Sequence, residues 1–191
     1  MMKIEIKPES WFPSMIFHCK INTKFCDDLE EKVLIDKDNW TRQLKNVNAL
    51  TTGWDGLKQY QELRDLCKFI CESILPKIGE SQTWKYNNWN TKEAWINFYQ
   101  KGDSAKMHHH GFADFCGVLI VSPGDGNLIF SKTELIESKT KPFENIKDEQ
   151  INEVKGRLIL FPAYLYHTVT DCKKDRITIA LNFSNDPVKD L

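Results

Sequence analysis

The chain has 191 residues with 26 basic and 27 acidic side chains and a net charge of -1. It is long enough to bury a sizeable core in one domain, 1–191, and the near balance of charge argues against a nucleic-acid partner, which calls for clustered Lys and Arg. No apolar run approaches the ~20 residues of a membrane span, so no membrane association is expected.

In chain order, the N-terminus alternates apolar and charged residues like a strand and lacks a signal-peptide apolar stretch. Residues 2–6 and 14–21 read as strands separated by turns at Pro8 and Pro13, and an edge strand at 2–6 could pair across a homodimer. Asn22 or Thr23 can cap a helix from about Lys24, with an apolar stripe of Phe25, Leu29, Val33 and Ile35. The loop-like Thr51-Thr52-Gly53-Trp54-Asp55-Gly56 holds a Trp that either covers the edge of the core or shapes an approach to a site. A second helix is predicted from Gln61 to Leu75, with Leu63, Cys67, Ile70, Cys71 and Ile74 on one face and a stop at Pro76 and Gly79. The six cysteines form neither a CxxC redox pair nor a zinc-finger spacing; reduced thiols in a cytoplasmic protein are expected.

From residue 82 the periodicity turns strand-like. Candidate strands are 82–89, 93–100, 113–121, 127–131, 157–161, 164–170 and 175–183, separated by turn residues such as Pro123-Gly124-Asp125-Gly126 and Lys173-Lys174-Asp175. Trp84, Trp89 and Trp95 read as exposed, facing a partner or packing at an edge. Residues 132–155 are polar and read as a long, substrate-facing insertion with one short strand. Helices followed by many short strands predict an α+β, mainly β domain: a sandwich or barrel (82–186) with the helical part (1–81) packed on its outer face.

Three of the chain's five histidines are consecutive, in Met107-His108-His109-His110-Gly111. On an extended segment residues i and i+2 share a face, so His108 and His110 can aim at one point while His109 turns away. His167, beyond the apolar run Arg157-Leu158-Ile159-Leu160-Phe161 and the turn at Pro162, would complete a three-ligand face with open positions for water or substrate, as catalytic metal sites have. Arg176 opens the apolar strand 177–183; turned inward it needs an anionic partner, and its planar fork suits a carboxylate. Leu119, Phe130 and Phe161 read as core that could also wall a pocket.

The ordered set His108-x-His110, then Gly156-Arg157-Leu158-Ile159-Leu160-Phe161-Pro162, then His167, then Arg176-Ile177-Thr178 resembles the 2-oxoglutarate/Fe(II)-dependent oxygenase superfamily, in particular a branch of bacteria and tailed phages with an HxH. Cys116-Gly117 stands for that branch's Ser-Gly, and Arg176-Ile177-Thr178-Ile179-Ala180-Leu181-Asn182 for its final strand. The resemblance covers about residues 82–186. It implies a double-stranded β-helix of jelly-roll, cupin-like form and a dioxygenase that couples oxidative decarboxylation of 2-oxoglutarate to oxidation of a substrate, a small molecule or a protein side chain. Fe(II) would be held by His108 and His167. The usual carboxylate two positions after the first His is His110 here, so three histidines bind the metal, or Asp114 supplies the carboxylate with His110 behind it, or, as in a related subset without the carboxylate, two histidines and water suffice. Arg176, with Thr178, would bind the distal carboxylate of 2-oxoglutarate, and Asn97 could donate to it.

A cupin offers the rival reading. Gly102, five residues, His108-x-His110 and Asp114, then Gly156, five residues, Pro162 and His167 resemble its two motifs, with Asp114 in place of the usual Glu. Tyr164 stands where the second motif has its inner Gly, and Arg176-Ile177-Thr178 has no cupin role. Such a protein would be a metal enzyme without 2-oxoglutarate or a small-molecule binder.

Overall fold

The long apolar runs of the C-terminal half become strands buried on both faces. The computed structural model describes residues 7–11, 14–82, 88–131 and 149–185. Its strands are β1 (Lys7–Trp11), β2 (Ser14–Lys20), β3 (Leu50–Thr51), β4 (Trp89–Tyr99), β5 (Ala105–His108), β6 (Phe115–Ser122), β7 (Leu128–Phe130), β8 (Glu149–Gln150), β9 (Arg157–Pro162), β10 (His167–Val169) and β11 (Arg176–Asn185). They pair antiparallel into a larger sheet, β1-β2-β9-β6-β11-β4-β3, and a smaller one, β5-β10-β7-β8. Together the two sheets form a double-stranded β-helix.

Strand alternation divides the core in two. Leu158, Leu160, Leu119, Ile179 and Leu181 pack with the helical residues Leu29, Val33, Leu63, Ile70 and Ile74. Ile159, Phe161 and Ile120 instead join Leu128, Phe130 and Val169 of the smaller sheet. Leu119 therefore faces the helices, away from any pocket between the sheets.

The helices are α1 (Thr23–Asp36), α2 (Gly56–Gln59), α3 (Gln61–Phe69) and α4 (Leu75–Ser81). Asn22 caps α1, its Oδ1 accepting the Lys24 N–H at 2.9 Å. Cys26, Leu29 and Val33 form its buried stripe. Ile35 is 77% exposed, because two residues beyond Val33 is about 200° round a helix. The second helix does not end at Pro76. A π-helical turn, Ile70–Ile74, separates α3 from α4 and leaves Pro76 in the first turn of α4, where a missing N–H costs little.

Three strands fall outside the predicted set: β3 and β5, too short to show alternation, and β1, which runs through Pro8 where a turn is predicted, its place at the edge of the sheet tolerating the missing N–H. The stretch predicted as strand 164–170 narrows to β10, since Leu165 N–H closes a turn on the Pro162 carbonyl at 3.1 Å. Trp89 and Trp95 are buried rather than exposed: Trp89 packs edge-on against Phe115, and Trp95 against Trp54, with ring centroids 5.9 and 4.9 Å apart. The predicted strand at 2–6, Pro13, Trp84 and residues 132–148 of the polar insertion lie outside the described residues.

Candidate metal and co-substrate site

β5 and β10 pair with His108 directly opposite His167, so both rings project from the same face. β5 ends at His108. His110 reaches them from the following loop, where its backbone N–H donates to the Ala163 carbonyl at 2.9 Å. The rings converge, with centroids 4.4 Å (His108–His167), 5.1 Å (His108–His110) and 5.2 Å (His110–His167) apart. One ring nitrogen from each lies within 4.8 Å of the others, an arrangement able to hold a metal ion. His109 is exposed and packs on Tyr166 instead.

Two of the rings are oriented by hydrogen bonds to carbonyls. His108 Nδ1–H donates to the Lys106 carbonyl at 2.7 Å, and His167 Nδ1–H to the Leu165 carbonyl at 2.9 Å. A carbonyl only accepts, so the proton sits on Nδ1 and the Nε2 lone pair is left for a metal. The His110 ring lies near Asn182, whose Oδ1 accepts from Cys116 Sγ at 3.2 Å and whose Nδ2 donates to Glu93 at 3.1 Å. Burial lowers the pKa of all three histidines, that of His110 to about 4 and that of His167 well below the usual value, with neighbouring histidines adding to the shift. They are neutral at neutral pH, the state that coordination requires.

Asp114 stands apart from this group. Its Oδ2 accepts the Asn185 N–H at 2.8 Å at the end of β11.

The histidines line one cavity with Trp95, Asn97, Tyr99, Phe161, Arg176 and Thr178. Asn97 and Thr178 are paired across β4 and β11 and so present their side chains together. Arg176 is fully buried, lies over the Tyr99 ring at 5.0 Å, and donates from Nε and Nη2 to Glu153 at 2.8 and 2.5 Å. The chain thus supplies an anionic partner of its own. Arg176 Nη1, Asn97 Oδ1 and Trp95 Nε1 are buried without a partner. Unsatisfied buried polar atoms are rare, and three from the walls of one cavity mark a place for a polar ligand. A carboxylate at the Arg176 end, joined to a chelating group at the histidine end, fits the two donors among them, Arg176 Nη1 and Trp95 Nε1. A groove lined by Lys45, Asn46, Trp54, Trp95, Phe112 and the three consecutive histidines leads to the cluster. Trp54 and Phe112 are more than half exposed there.

Residues 93–182 match the family described as "Putative 2OG-Fe(II) oxygenase". They are a 2OG-Fe(II) oxygenase domain. No curated protein matches the chain. Among solved structures, the fold is similar to a Pseudomonas putida prolyl-4-hydroxylase (TM-score 0.69, 12% identity, covering 93% of this chain and 96% of that one). It is also similar to a prolyl hydroxylase from Trichoplax adhaerens (0.65, 16%, covering 88% and 83%) and to a non-heme alpha ketoglutarate dependent epimerase from nogalamycin biosynthesis (0.66, 10%, covering 89% and 76%). The cofactors of the oxygenase family are Fe(II) and 2-oxoglutarate, so the cupin reading gives way.

Three residues in or beside the candidate site receive no role from the sequence. Trp95 shares the strand face of Asn97 and Tyr99 by simple alternation, and that signal was present in the sequence. Asn182 is one polar residue in an apolar strand. Glu153 is one acid in a polar segment, and nothing local marks it.

Proposed function

We propose that the protein is an Fe(II)/2-oxoglutarate-dependent dioxygenase in which His108, His110 and His167 hold the metal and Arg176, with Thr178, holds the distal carboxylate of 2-oxoglutarate. The observation carrying this reading is the partnerless Arg176 Nη1 on the wall of the cavity that three neutral histidines also line. Fe(II) and 2-oxoglutarate together supply the coupling of 2-oxoglutarate decarboxylation to substrate oxidation. The chain's own residues prepare the place. The Lys106 and Leu165 carbonyls fix the tautomers of His108 and His167, the buried walls exclude water, and Asn97, its amide turned about the last side-chain bond, offers an N–H to the co-substrate.

The groove past Trp54 and Phe112 suits a small molecule or a protein side chain, and the prolyl hydroxylases among the fold's neighbours make proline the first side chain to test. Six free cysteines fit a cytoplasmic setting, and among the described residues no helix is long and apolar enough to cross a membrane. Among the described residues β1 is paired on one side only, which leaves an edge on which a second copy could add to make a homodimer.

Anaerobic addition of 2-oxoglutarate to the Fe(II)-loaded protein is expected to give a visible charge-transfer band that Arg176→Ala abolishes. Metal binding with no response to 2-oxoglutarate would overturn the proposal.

A further inference from the structure

A guanidinium has three donor nitrogens, and at Arg176 the protein has engaged two of them. Nε and Nη2 are taken by the two oxygens of Glu153 at 2.8 and 2.5 Å, and only Nη1 is left without a partner. Both side chains are buried, at 1% and 4% exposure. Glu153 is itself fixed: the Leu128 N–H of β7 donates to its Oε1 at 3.2 Å, and two residues earlier Ile151 N–H bonds the Leu128 carbonyl at 2.9 Å. The cavity wall includes Arg176 but not Glu153. The carboxylate therefore braces the guanidinium from behind and does not occupy the ligand's place.

Charge points the same way. The histidine cluster brings no carboxylate to the metal, so the two positive charges of Fe(II) are matched by the two negative charges of 2-oxoglutarate. Arg176 would then stand as a surplus buried cation, which is costly. Glu153 cancels it, and the filled site is neutral.

We propose that Glu153 is a positioning residue for co-substrate recognition, holding Arg176 so that Nη1 is offered to the distal carboxylate while its own charge replaces the one missing from the metal cluster. This rests on the reading of the cavity as the 2-oxoglutarate site.

The test compares, by anaerobic calorimetry on Fe(II)-loaded protein, binding of 2-oxoglutarate with that of 2-oxopentanoate, which has the same chain length but no distal carboxylate. Wild type is expected to prefer 2-oxoglutarate by about tenfold or more, the worth of one charge-assisted hydrogen bond. In Glu153→Gln that preference falls by about tenfold, while 2-oxopentanoate affinity and iron content hold. Glu153→Asp, which keeps the charge and shortens the reach, lies between; it also serves as the test, with a several-fold loss expected, should the Gln variant fail to fold. An unchanged preference in the variants makes Glu153 merely structural, and tighter 2-oxoglutarate binding makes it a competitor for Arg176. Either result overturns its positioning role. A wild type with no preference sinks the reading of the cavity itself.

Discussion

His108 and His167 face each other across a single antiparallel register between β5 and β10. Two candidate ligands far apart in the chain are thus brought together by backbone pairing, and their ring centroids end 4.4 Å apart. His109 shares the run but is exposed beside Tyr166. Replacing His108 or His167 by Ala should weaken Fe(II) binding more than about 100-fold, since even the groups that orient a ligand are worth 10- to 100-fold. His109→Ala should leave it within about twofold. Iron content after anaerobic reconstitution and desalting measures all three, and a His109→Ala protein without iron would refute the division of the run.

The identity of the third ligand can be decided in the same way. His110 is within reach of the other two rings, whereas the Asp114 carboxylate is engaged by the Asn185 N–H at 2.8 Å. Asp114→Asn keeps an oxygen for that bond, and the protein should retain full iron. His110→Ala should lose at least about tenfold in Fe(II) affinity, judged against the cost of changing a group that only orients a ligand. The opposite pattern would hand the position to Asp114.

Much of this site was legible in the sequence because its signals are local or periodic. The HxH spacing, the apolar strand before His167 and the Arg opening β11 each show within a few residues. The physical reason offered for His108 and His110 was only partly right: strand alternation predicts convergence, but β5 ends at His108 and His110 is held by the Ala163 carbonyl. Glu153 was hidden because its meaning lies in a contact with Arg176, 23 residues away beyond β9 and β10. The run-on of the second helix through Pro76 was hidden too, since a π turn leaves no compositional mark.

Acid should unfold the metal-free protein earlier than its carboxylates alone require. Above about pH 6.5 the histidines are neutral both folded and unfolded. Below it the unfolded chain takes up protons that the folded cluster refuses, His110 down to about pH 4 and His167 likewise well below its unfolded value. Stability is therefore intact above the unfolded value and falls with pH, by roughly 2 kcal/mol between about pH 6.5 and 5 from His110 alone. Urea midpoints of the metal-free protein across that range measure the slope, and His110→Gln should flatten it. A slope unchanged in His110→Gln would mean that His110 is not held neutral by its burial.

The last prediction concerns the turn beneath Arg176. A Cβ built on Gly124 would lie 2.3 Å from Arg176 Cβ and 2.7 Å from the Lys174 carbonyl oxygen, so neither backbone nor arginine can stay where it is. Gly124→Ala should cost about 1–3 kcal/mol, the usual range for overpacking a filled interior. The strain falls at the start of β11, while the three histidines are held by β5, β10 and the Ala163 turn. Fe(II) binding should therefore survive when measured below the variant's unfolding transition. 2-Oxoglutarate affinity should fall, because a shift of Arg176 large enough to relieve the 2.3 Å contact misdirects Nη1 and loosens the pair with Glu153. Calorimetric titration of the Fe(II)-loaded variant with 2-oxoglutarate separates the two effects. Loss of iron together with co-substrate would show that the turn supports the whole smaller sheet, whereas selective loss of 2-oxoglutarate ties Gly124 to the arginine it accommodates.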